Sequence, residues 1–232
     1  MKKREWIVVD ATLPILTYEY SFGPGLANTL AIGVKGGLAL VSPPCNASPE
    51  VFDVLSAHGP VVALVASNAF HHLGLKEWHA RFPNATVAAP AQAVERVKKK
   101  TGIHNIISLA DAEVLQRNES IEFVDMPHWK TGEVLVRAKT PKGFYWYVTD
   151  VVMNMAKLPK NPIFRFLFKM ANTAPGLKFN NVAALFMMKE KAAVKSWLAD
   201  EIRKAPPTLL IPCHGATVEM SPSGSPLLEV LS

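Results

Sequence analysis

At 232 residues the chain exceeds one average domain and falls short of two, and 49% hydrophobic against 19% charged residues excludes a disordered protein. Its formal net charge of +6 is local, because residues 151–189 carry Lys157, Lys160, Arg165, Lys169, Lys178 and Lys189 and no acid, leaving the remainder at zero. Two cysteines, Cys45 and Cys213, exclude a disulfide framework and lack zinc-knuckle or redox spacing, which points to a reducing, cytoplasmic setting.

From the N-terminus, Met1-Lys2-Lys3-Arg4 has the charge of a signal-peptide start, but the apolar run 6–9 stops at Asp10, so secretion is not expected. No window reaches the ~18 uninterrupted apolar residues of a membrane span. Residues 6–9, 30–34 and 38–41 read as strands, the last two joined by Lys35-Gly36-Gly37, which is hairpin chemistry. A helix over 49–58 follows, with Ser48 at its N-cap and Gly59 at its stop, and 61–66 is an apolar, buried-type strand. Then come a short helix over 73–81, a strand over 86–88, a helix over 91–100 closed by Thr101-Gly102, and a strand over 121–125.

Residues 133–139 and 144–149 flank Pro141-Lys142-Gly143 and form the clearest hairpin, which delivers Asp150 to a strand end. Pro162 after Asn161 suits a first helical turn, 181–204 reads as helical with or without a break, and 208–211 is a short strand. The order is β-rich, αβ, β-rich, αβ, with no short-period repeat, so a single domain over 1–232 is expected. Within it, 151–189 is expected to form a basic, aromatic helical cover.

Four of the seven histidines sit where elements change: His71 and His72 after the strand 61–66, His128 after 121–125, and His214 after 208–211. Asp150 joins them at the end of its strand. Metal-ligand side chains at successive strand ends can converge on one edge of a layered sheet protein, although any one such histidine taken alone is more often a hydrogen-bonded loop residue. Lys98-Lys99-Lys100 closes a helix and needs no ligand, since cations favour the negative end of the helix dipole. Cys213 beside His214 reads as a small buried thiol rather than a nucleophile with its base.

This order of elements resembles the metallo-beta-lactamase-like superfamily, whose hallmark is His-x-His-x-Asp-His after a buried strand, then a lone His, a strand-end Asp and a final His. The first motif falls on Ser67-Asn68-Ala69-Phe70-His71-His72, the lone His on His128, the Asp on Asp150 and the last His on His214. Leu26-Ala27-Asn28-Thr29 is similar to the approach to the family's first hairpin. The resemblance implies an α/β fold, a four-layer αββα sandwich. It also implies that Ser67 and Ala69 stand where two histidines of a first metal site belong, so that site should be empty.

The second site keeps His72, Asp150 and His214, with His71 in place of an Asp, so the ligand candidates are His71, His72, His128, Asp150 and His214. At most one divalent metal is expected, zinc foremost, with iron or manganese as the other options. The implied activity is hydrolysis of an ester, lactone, thioester or phosphodiester; a non-catalytic pseudoenzyme or interaction protein on the same fold is the competing reading. The basic segment lacks RGG, helix-turn-helix or zinc-finger spacing, so a small-molecule, anionic ligand, a partner or a membrane surface is favoured over nucleic acid. A homodimer is expected if its phenylalanines meet across a two-fold axis.

Overall fold

Seven strands pair in the order in which the chain makes them. The computed structural model describes residues 5–23, 25–116, 119–221 and 223–232, so residues 1–4, read above as a signal-like start, lie outside the described residues. The chain divides into two compact units, Met1–Phe123 and Val124–Ser232. In the first, β1 (Ile7–Asp10), β2 (Ile15–Ser21), β3 (Leu26–Val34) and β4 (Gly37–Val41) form an antiparallel meander. β5 (Val61–Val65), β6 (Thr86–Ala89) and β7 (Ile107–Ser108) extend it in parallel. The parallel steps need crossovers, and α1 (Pro49–Ser56), α2 (Leu75–Arg81) and α3 (Val94–Thr101) supply them.

The expected Lys35-Gly36 turn is present, with Val34 paired to Gly37 and Gly36 at φ 91°, a conformation that favours glycine. β5 is apolar throughout because both of its faces are covered, and Ala63, Leu64 and Val65 are completely buried. Phe52 of α1 and Trp78 of α2 meet at 4.5 Å between ring centroids, which fixes both crossovers in one apolar layer. Ser48 stands at the α1 N-cap, but its hydroxyl makes no cap bond; Pro49 opens the helix instead.

The second unit receives the chain through β8 (Ile121–Asp125), followed by β9 (Val134–Thr140), β10 (Gly143–Val148), β13 (Pro207–Pro212) and β14 (Val218–Glu219). These five form a sheet ordered β14-β13-β10-β9-β8, in which β9 and β10 are the expected hairpin and β13 returns parallel to β10. A separate antiparallel pair, β11 (Val152–Met155) and β12 (Gly176–Phe179), brackets α5 (Pro162–Met170). α6 (Asn181–Phe186), α7 (Lys191–Lys204) and α8 (Ser225–Glu229) complete the unit. Its core gathers Trp129, Leu135, Trp146, Val148 and Leu210 against Val194, Leu198 and Ile202, the i, i+4, i+8 face of α7.

Two differences from the sequence expectations, and one alternative left open there, have structural causes. Ile15-Leu16-Thr17-Tyr18-Glu19-Tyr20, outside the strands expected from the sequence, makes β2, a β-branched and aromatic run whose partner β3 begins at Leu26 rather than Leu30. Segment 151–189 is helical only in α5 and α6, because Val152–Met155 pairs with Gly176–Phe179 as strands. The helical segment 181–204, expected with or without a break, has one after Phe186: Lys189 N donates to His128 O at 2.7 Å and Lys130 N to Met187 O at 2.8 Å, drawing Met188 into a β-bridge with Trp129.

Candidate functional site

The loop after β5 is built from inside. Ser67 is fully buried with its hydroxyl 2.6 Å from that of Ser42, whose carbonyl in turn accepts from the Thr29 hydroxyl at 2.7 Å. Asn68, also fully buried, accepts from the backbone N–H groups of Phe70 at 2.8 Å and His71 at 3.2 Å, a side-chain turn that reverses the chain just before the histidine pair. Arg96 of α3 holds the far side: its Nε donates to Ala69 O at 3.3 Å, and its guanidinium lies 4.6 Å from the Phe70 ring centroid.

His71 and His72 follow, both half-buried. Burial, and then the positive charges of Arg96, Lys100 and His71, hold the His72 imidazole below its usual pKa. The ring is therefore neutral near pH 7 and keeps a lone pair for a ligand, which is the protonation state metal binding requires. Gly74 ends the loop against the chain at Pro43 and Pro44, where a Cβ would lie 2.3 Å from either carbonyl oxygen.

In the second unit Asp150 and His214 come together. Asp150 Oδ1 lies 3.2 Å from His214 Nε2, with both side chains largely shielded. Each is set by a backbone device. Glu133, fully buried, turns its carboxylate inward so that Oε1 accepts from Asp150 N and, at 3.1 Å, from Val151 N. Gly215 lets the β13 loop press onto β11: at φ 109°, a Cβ there would lie 1.9 Å from Asn154 O. Asn154 N donates to His214 O at 2.9 Å, and Asn154 O accepts from Ala216 N at 3.0 Å.

His128 sits on a turn at φ 65° with its side chain exposed, while Trp129 beside it is completely buried in the core. Cys213 is completely buried, and its backbone N–H donates to Val148 O at 2.7 Å, continuing the β10–β13 pairing. His79 lies within α2 and His104 on the stretch after α3, away from the motif positions. Arg96, Glu133 and Gly215 were not singled out from the sequence. Glu133 carried the most legible signal, an acid at the mouth of an apolar strand, Val134 to Val136, where an unpaired carboxylate would be costly.

No family model matches the sequence, and no curated protein is similar to it in sequence. Solved structures are similar. A metallo-beta-lactamase from Pontibacter korlensis superposes with a TM-score of 0.57 at 13% identity, over 99% of this chain and 99% of that one. The metallo-beta-lactamase FIM-1 from Pseudomonas aeruginosa, in its mono-zinc form, gives 0.60 at 13% identity, over 98% and 92%. A flavo di-iron protein variant from Thermotoga maritima gives 0.63 at 12% identity, over all of this chain and 61% of its own. The chain therefore has the metallo-beta-lactamase fold, an α/β sandwich, and the resemblance read from the sequence holds at the level of the fold.

Proposed function

We propose that this chain is a divergent metallo-hydrolase-like protein that holds at most one divalent metal, zinc foremost, at His72, Asp150 and His214, with His71 or His128 assisting. The observation that carries the reading is the Asp150–His214 pair, an anionic oxygen and an imidazole nitrogen 3.2 Å apart on adjoining strand ends. The inclusion of His71 and His72 rests on the sequence motif and on the neutral His72 ring. The donor set of one carboxylate with imidazoles suits zinc or iron. Ser67 and Ala69 lower the count to one metal, since a hydroxyl already engaged by Ser42 and a methyl offer nothing to a second.

A cation bound there supplies Lewis acidity toward an ester, lactone, thioester or phosphodiester. The chain's own contribution is preorganisation: Glu133 and Gly215 fix the backbones from which Asp150 and His214 project, so the two groups meet without a conformational search. A small-molecule substrate with an anionic group fits the surplus of positive charge. The competing reading, a non-catalytic ligand-binding protein of cytoplasmic location, is favoured by the loss of the first-site imidazoles.

Elemental analysis of untagged protein purified without added metal tests the proposal, with one metal per chain or fewer expected and near-stoichiometric two-metal occupancy refuting it. Turnover on a panel of the four substrate classes should vanish with a chelator and return with zinc. Metal binding without turnover on any class would favour the non-catalytic reading.

A further inference from the structure

α5 is a nine-residue helix in which no residue is buried, although six of the nine are large and apolar. Asn161 caps it, accepting from Ile163 N at 3.0 Å and Phe164 N at 3.2 Å, and Pro162 occupies its first turn, so the helix is locally specified rather than held by a core. Its side chains sort by face. Leu167 and Phe168 are the half-buried ones; Ile163, Phe166 and Met170, spaced i, i+3, i+7, stand on the outward face at 64–70% exposure. α6 packs against α5 and adds Leu185 and Phe186, exposed to a similar degree. Monomeric proteins rarely expose so many large apolar side chains on two touching helices.

The charges around this patch identify what covers it. Arg165 and Lys169, i and i+4 on α5, border the apolar stripe, and Lys157, Lys160 and Lys189 are exposed on the flanking chain, with no acid between residues 151 and 189. A second copy of this face would bring these cations against their like, which opposes self-association. The patch lies on a short helix that buries none of its residues. Apolar residues bordered by Arg165 and Lys169 on one helix, in a segment whose only charges are positive, match an anionic bilayer, whose headgroups attract the cations while the acyl boundary takes the phenylalanines. No helix among the described residues is long and apolar enough to cross a membrane, so the contact is with the surface.

We infer that α5, with Leu185 and Phe186 of α6, docks this protein on anionic phospholipid surfaces. Cosedimentation of the full chain with phosphatidylcholine vesicles, with and without phosphatidylglycerol, tests it. Binding is expected only with phosphatidylglycerol present, and should fall at high salt. Arg165→Gln and Lys169→Gln should each weaken it about fivefold. Ile163→Asp combined with Phe166→Asp should abolish it while leaving the circular dichroism spectrum and melting temperature unchanged, because both residues are exposed. Failure of the unmodified chain to bind phosphatidylglycerol vesicles overturns the inference, as does undiminished binding by the double aspartate variant. A dimer in equilibrium sedimentation that Phe166→Asp splits would also overturn it, by assigning the face to self-association.

Discussion

Replacing Glu133 tests how the Asp150 loop is held. Its fully buried carboxylate accepts from the backbone N–H groups of Asp150 and Val151, and its own carbonyl accepts from Met126 N at 2.8 Å. Hydrogen bonds to a charged acceptor contribute about 1.5–3 kcal/mol each, so losing two removes roughly 3–6 kcal/mol. Removing a buried carboxylate also relieves its desolvation cost, which leaves a net destabilisation of about 2–4 kcal/mol for Glu133→Ala. Glu133→Gln retains an oxygen that can accept both bonds and should cost about 1 kcal/mol. Urea unfolding followed by tryptophan fluorescence measures both, with an unchanged m-value expected; the Ala variant should also melt roughly 5–12 °C lower. If the Ala and Gln variants agree within about 0.5 kcal/mol, the carboxylate oxygen is not what holds the loop.

Metal content measured on single variants should separate motif from surface: His72→Ala and His214→Ala lose whatever metal is bound, while His79→Ala and His104→Ala keep it. Gly215→Ala should lower stability by about 2 kcal/mol in a thermal melt, because the new methyl would be driven into Asn154 O on a backbone that disfavours any Cβ. Around Glu201, burial pushes the carboxyl up, but the Lys204 hydrogen bond, the Arg137 charge and hydrogen bond, and the Lys204 charge outweigh it and hold its pKa below the usual range. Its stabilisation is therefore present above the ordinary carboxylate pKa and is lost as pH falls through the depressed value. Arg137→Met, by letting that pKa rise, should move the acid-unfolding midpoint to higher pH.

Much of the fold was legible because turn chemistry and buried runs are local signals. Lys35-Gly36, the Thr140 to Gly143 turn and the apolar 61–66 run each specify their element without help from distant residues. Whether 181–204 breaks into α6 and α7 stayed open in the sequence, since the break depends on Lys189 bonding His128 some sixty residues earlier in the chain. The strands β11 and β12 were hidden for the same reason: their pairing partners lie on either side of α5. Of the proposed site residues, the strand-end histidines and Asp150 could be picked out by type and position. Arg96 and Gly215 act through contacts with residues elsewhere in their units, Phe70 and Asn154, which spacing alone does not reveal.

The order of the first sheet bears on how the chain is made. Because each of its strands pairs with the one just before it, every new strand leaving the ribosome finds its partner already in place, and no step waits for later sequence. The second sheet is built otherwise. β10 cannot gain its parallel neighbour β13 until α7 has been synthesised, so one edge of β10 stays open while the intervening chain is made. Asp150, just past the end of β10, meets His214 only when β13 closes that edge, which makes assembly of the pair wait for the whole stretch of chain between them.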